Sequence, residues 1–122
     1  MQDQRNAVKL LHVPDVGNGS GVVIAPGVVL TAKHVTDVLE RDMELFLEPG
    51  HIKVTFIRSS KNHDLGLVSA PGVTCPCVKL ADALPDLNDE VVMIGFPYNN
   101  FGGVQMLTTG RYQGTTDDKI VT

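Results

Sequence analysis

The sequence predicts an all-β fold of short strands and tight turns. Three observations carry that expectation. The apolar residues come in short runs. The 12 glycines and 7 prolines sit largely between those runs. Several runs alternate apolar and polar residues with the period of two that a half-buried strand needs. With 122 residues, 43% hydrophobic and 20% charged, the chain suits one ordinary soluble domain.

Each element follows in order. Met1 to Asn6 is polar, and Val8 to Val13 is the first expected strand, stopped by Pro14. Gly21 to Ala25 and Val28 to Thr31 flank Pro26-Gly27, where proline fixes φ and glycine supplies a positive φ, so residues 21–31 read as a β-hairpin. His34 to Glu40 places Val35, Val38 and Leu39 at i, i+3 and i+4, which suggests one or two helical turns. In Met43 to Glu48, Met43, Leu45 and Leu47 alternate with Glu44, Phe46 and Glu48. Pro49-Gly50 closes that run, and in His51 to Arg58 Ile52, Val54 and Phe56 share one face. After the polar loop 59–63, Asp64 opens a further expected strand ended by Pro71-Gly72. About six strands before Pro71 are enough for a small closed barrel.

Val73 to Asn88 is irregular and reads as a crossover. Glu90 to Pro97 is a strand with a proline stop, Val104 to Tyr112 another, and Lys119 to Thr122 the start of a third. The expected organisation is a first barrel over residues 1–84 and an incomplete second unit over 85–122, whose open edges need a partner.

Composition narrows the function classes. The net charge of −4, the absence of a Lys/Arg stripe and the 5% aromatic content disfavour nucleic acid as a partner. No apolar run approaches the ~20 residues of a membrane helix, so no membrane partner is expected. No signal peptide is visible, which leans the expectation to the cytoplasm unless the start was lost or recut. Cys75 and Cys77, separated only by Pro76, are expected to be small reduced thiols, because a bridge between them would be strained.

The pattern with most chemistry in it is a hairpin running straight into Thr31-Ala32-Lys33-His34-Val35, followed thirty positions later by Asp64-Leu65-Gly66-Leu67-Val68. A neutral imidazole can take a proton from a hydroxyl or thiol, and a carboxylate on its other nitrogen fixes the tautomer. Spacing alone equally allows a surface histidine and a strand-capping aspartate.

Thr31-Ala32-Lys33-His34-Val35 resembles the Thr-Ala-Ala-His-(Val/Cys) motif of trypsin-like serine peptidases. Asp64-Leu65-Gly66-Leu67 resembles their Asp-(Ile/Leu)-Ala-Leu segment. Glu90 to Pro97 and Leu107-Thr108-Thr109-Gly110-Arg111-Tyr112 resemble two strands of the bacterial HtrA-like branch, written Val-x-Ala-Ile-Gly-Asn-Pro and Val-Thr-x-Gly-x-Val. The four segments occur in the family's order. The resemblance implies a trypsin-like double β-barrel, first barrel complete and second partial. It implies a serine endopeptidase acting on protein or peptide substrates through an acyl-enzyme, with His34 as general base, Asp64 as its orienting partner, and no metal or organic cofactor. Lys33 departs from the family's alanine and must turn outward.

The family's Gly-(Asp/Asn)-Ser-Gly-Gly motif is not found in residues 1–122. The expectation is therefore an N-terminal portion whose nucleophile lies elsewhere, with a second chain completing the second barrel as a candidate partner. Alternatives are a non-catalytic β-barrel binding module or remnant, and a cysteine-nucleophile peptidase of the same fold. Ser20, between Gly19 and Gly21, superficially resembles a nucleophile loop but is expected to be structural, and Ser59, Ser60 and Ser69 lack a glycine setting. His63 is the local rival of His34, expected to turn away from Asp64 by strand alternation. His12 and His51 are expected at the surface or an edge. Neither the cysteines nor Asn99 to Gly103 has recognisable zinc-finger or phosphate-loop spacing.

Overall fold

The computed structural model describes residues 2–96, 104–116 and 119–121. Among the described residues, two helices, α1 (Gln2–Ala7) and α2 (Lys33–Glu40), accompany eleven strands. Seven of these form one antiparallel sheet: β1 (Val8–Val13), β2 (Gly17–Ala25), β3 (Val28–Thr31), β4 (Phe46–Glu48), β5 (Ile52–Lys53), β6 (Thr55–Ser59) and β7 (Gly66–Ser69). Their order is β5-β4-β1-β2-β3-β7-β6. The edge strands β5 and β6 are consecutive in the chain, joined by Val54 alone, so the sheet must curl until its edges meet. Val54 is buried and donates its N–H to Leu45 O at 3.0 Å at that seam.

The curl encloses one core. Leu11, Val13, Val23, Val29, Leu47 and Val68 point inward from alternate strand positions, and Val38 of α2, Leu45, Val54 and Ala70 complete the cluster. Each large apolar side chain so buried is worth about 1.5–3 kcal/mol relative to exposure. The β2–β3 turn forms at Pro26-Gly27 as expected, with Gly27 at φ 75°.

Three local expectations are corrected. The run 51–58 is two strands, not one, because the chain breaks pairing at Val54 to switch partners, and the β6–β7 register shifts between Phe56 and Arg58. The strand expected from Asp64 begins at Gly66. Cys75 and Cys77 are joined in a disulfide, which also removes the thiol argument for a reducing compartment. An extended strand holds i and i+2 about 6.6–6.8 Å apart. The irregular chain around Pro76 instead brings the two Cα atoms to 4.5 Å, inside the roughly 4.4–6.8 Å that bridges tolerate.

The segment between the two units runs back along the barrel, with Gly27 N–H donating to Val73 O at 2.8 Å and Val78 N–H to Val23 O at 2.8 Å. Beyond it stand two antiparallel hairpins: β8 (Glu90–Gly95) with β9 (Met106–Arg111), and β10 (Gly114–Thr116) with β11 (Lys119–Val121). The second unit thus has four strands among the described residues, where the sequence suggested three. Tyr112, buried just past β9, closes the β8–β9 hairpin by accepting the Asn88 N–H and donating its own N–H to Asp89 O. The Pro97 stop, the 99–103 loop and Thr122 lie outside the described residues.

Candidate active site

His34 and Asp64 are brought together by neighbouring strands. β3 and β7 pair antiparallel, with Thr31 opposite Gly66, so the chain leaving β3 and the chain entering β7 emerge at the same barrel end. Helix α2 starts there. Its N-cap, Ala32, has no side chain able to cap, and the helix's free N–H groups need an acceptor. Asp64 supplies it from across the chain: the His34 N–H donates to Asp64 Oδ1 at 2.9 Å. The other carboxylate oxygen, Oδ2, lies 2.7 Å from His34 Nδ1.

Both oxygens are thus held by one residue, His34, through its backbone and its ring. A carboxylate can only accept, so Nδ1 carries the proton and the lone pair resides on Nε2. The His34 backbone N–H, and after it the imidazole, hold the Asp64 carboxyl below its ordinary value, against a smaller opposing effect of desolvation. The carboxylate is not buried: the side chains of His34 and Asp64 are 74% and 58% exposed. At such exposure, water screens most of the charge attraction, and the geometry of the two hydrogen bonds matters more than the ion pair.

The other candidates fall elsewhere. Ser20 is half-buried and its Oγ accepts the Phe96 N–H at 2.7 Å, tying β2 to the end of β8. Ser60 Oγ accepts the N–H groups of Asn62 and His63 inside the 59–63 loop. His63 lies in that turn, so strand alternation does not govern where it points. Lys33 is half-buried rather than fully outward.

One feature was missed: His51 makes a second imidazole–carboxylate pair. Its N–H donates to Glu48 Oε1 at 2.7 Å, its Nδ1 lies 3.0 Å from Glu48 Oε2, and its ring stacks on Phe46 at 3.9 Å. The hydrogen bond from the His51 ring is the main cause lowering the Glu48 pKa. This pair is three residues apart and closes its own turn, whereas His34–Asp64 couples two elements thirty residues apart. Among the described residues, no three His, Cys, Asp or Glu side chains converge as a metal site. An apolar recess of about 270 Å³, lined by Ile24, Leu30, Arg58, Leu65, Leu67 and Leu80 among others, opens without either His34 or Asp64 in its lining.

A curled antiparallel sheet with a histidine and an aspartate paired at one end, followed by the strands of a second unit, has the form of a trypsin-like fold. The trypsin-like peptidase domain family matches residues 19–121, and the chain belongs to that family. Solved structures share the fold. The HtrA-type protease AlgW, with a tripeptide, aligns at TM-score 0.77 and 23% identity over 97% of this chain and 40% of its own. Deg5 aligns at 0.74 and 21% over 93% of this chain and 60% of its own. Rv3671c from M. tuberculosis, a serine-to-alanine mutant in an inactive form, aligns at 0.73 and 21% over 91% and 52%. The chain therefore spans roughly half the length of these structures. No curated protein matches the sequence.

Proposed function

We propose that this chain is the N-terminal portion of a serine endopeptidase that hydrolyses protein or peptide substrates, with His34 as general base and Asp64 as its orienting partner. The observation that carries this is the double clamp of His34 on Asp64, Nδ1 at 2.7 Å and N–H at 2.9 Å, which leaves Nε2 as the basic atom. In the acylation step Nε2 takes the hydroxyl proton of a serine as its oxygen attacks the scissile carbonyl. The imidazolium, held by Asp64, then returns that proton to the leaving amine. These are the roles that histidine and aspartate take in a Ser-His-Asp triad.

The serine and the oxyanion-hole donors come from outside residues 1–122, in the remaining half of the domain or a second chain that completes it. The roughly half-length coverage of the similar structures supports that, and the serine-to-alanine mutant among them favours serine over cysteine. Fluorophosphonate labelling tests the proposal. The 122-residue chain takes up no probe. A protein in which the same residues continue into a complete domain is labelled at a serine beyond Thr122, and His34→Ala reduces turnover by about 10⁶. Labelling of Ser20, Ser59, Ser60 or Ser69 refutes the location of the nucleophile. A complete domain that resists the probe but reacts with a thiol alkylator supports the cysteine alternative. A complete domain inert to both is a binding module.

A further inference from the structure

We propose that Thr36 and Gly66 are a positioning pair: the threonine side chain seats on the bare Cα of the glycine, and that close approach sets how near helix α2 holds His34 to Asp64. The inference deepens the proposed function and rests on its assignment of these two residues as base and partner.

Thr36 is fully buried, unlike the exposed pair it serves. A Cβ placed on Gly66 would lie 2.6 Å from Thr36 Cγ2, 2.8 Å from its Oγ1 and 3.2 Å from its Cβ. Neither side is free to yield. Thr36 Oγ1 donates to Lys33 O at 2.9 Å and its N–H to Ala32 O at 3.2 Å, and that hydroxyl bond holds one of the two χ1 rotamers threonine uses in a helix. Gly66 is flanked by two strands, opposite Thr31 of β3 and Ser59 of β6.

The contact therefore joins two stiff elements at one point. Thr36 is two residues past His34 on α2, and Gly66 is two residues past Asp64 on the path into β7. A methyl group at position 66 needs ordinary contact distances of about 3.5–4.0 Å. It forces helix and strand apart by about 1 Å, enough to carry hydrogen bonds of 2.7 and 2.9 Å out of good geometry. Displacements of that size in catalytic constellations cost about 10²-fold in rate.

The test is a carbon-detected NMR titration of the Asp64 carboxyl in four forms of the 122-residue chain: parent, Gly66→Ala, Thr36→Ala and the double variant. The parent carboxyl titrates below the ordinary value because His34 donates to it twice. Gly66→Ala is expected to lose that downward shift. Thr36→Ala keeps it, and the double variant regains most of it, because only Thr36 Cβ, at 3.2 Å, still faces the new methyl. A folded Gly66→Ala chain with parental Asp64 titration overturns the proposal, as does a double variant that fails to regain the shift. If Gly66→Ala alone does not fold, the double variant decides: a low Asp64 titration supports the pair, and an ordinary one, or a chain still unfolded, overturns it. The readout needs no nucleophile, so it succeeds or fails independently of whether the complete domain is a peptidase.

Discussion

Replacing Ser20 by alanine removes the acceptor of the Phe96 N–H, a bond of 2.7 Å between residues 76 positions apart. Alanine cannot replace that acceptor, and the Phe96 amide is left unpaired in a partly covered site. Leaving a buried donor unsatisfied costs about 1–3 kcal/mol. At a half-buried position we expect the lower part, about 1–2 kcal/mol, which is about a 5–30-fold rise in local opening. The second unit has another tie to the barrel side, Gln105 Nε2 donating to Arg5 O at 2.8 Å while Arg5 Nε donates to Gln105 Oε1 at 3.1 Å. Loss of one tie should therefore loosen the end of β8 without freeing the whole hairpin. Amide hydrogen exchange measures this directly: Phe96 should exchange 5–30-fold faster, while Val29 and Val68 in the barrel stay unchanged. Unchanged exchange at Phe96 in a folded Ser20→Ala chain would refute the bridging role. Equal acceleration in the barrel would show that Ser20 contributes to general stability instead.

Three further outcomes follow from the same structure. Leu47→Ala, at a side chain only 2% exposed in the core, should lower unfolding stability by about 2–5 kcal/mol in a urea titration. The Asp64 carboxyl is depressed in the folded chain, so its stabilising contribution is present above the unfolded value of about 3.9 and is lost as pH falls through the folded value. The urea midpoints of the parent and Asp64→Asn should accordingly differ at neutral pH and converge in acid, and a pH-independent gap contradicts the clamp. The Cys75–Cys77 bridge spans two positions and closes so small a loop that its reduction should cost no more than about 1–2 kcal/mol by calorimetry, and a thiol assay of the unreduced chain should find both cysteines blocked.

The sequence made the barrel legible where local chemistry decides structure. β1 and β3 have the bounds that alternation and the Pro-Gly turn give them, and Leu45, Leu47 and Val54 are buried as their alternation indicates. His34 and Asp64 stood out because both flank apolar strands, and antiparallel pairing of those strands is enough to bring them within hydrogen-bonding distance. What stayed hidden depends on distant partners. Ser20 meets Phe96, and Arg5 meets Gln105, across 76 and 100 positions, and no local pattern encodes either. Helix α1 was missed because its six residues carry no apolar periodicity. The disulfide went against expectation because a bridge across Pro76 reads as strained, whereas the irregular chain there brings the two Cα atoms to 4.5 Å. No local pattern marks Thr36, since only the absent side chain of Gly66 makes room for it.

The central claim is that Asp64 fixes His34 with its proton on Nδ1 and its basic lone pair on Nε2. Long-range nitrogen–proton NMR in alkaline solution reads that tautomer without any substrate. The account predicts that His34 is protonated on Nδ1 in the parent chain and loses that preference in Asp64→Ala. A parent chain with the proton on Nε2 would contradict it, because the lone pair would then face the carboxylate and His34 could not serve as the base.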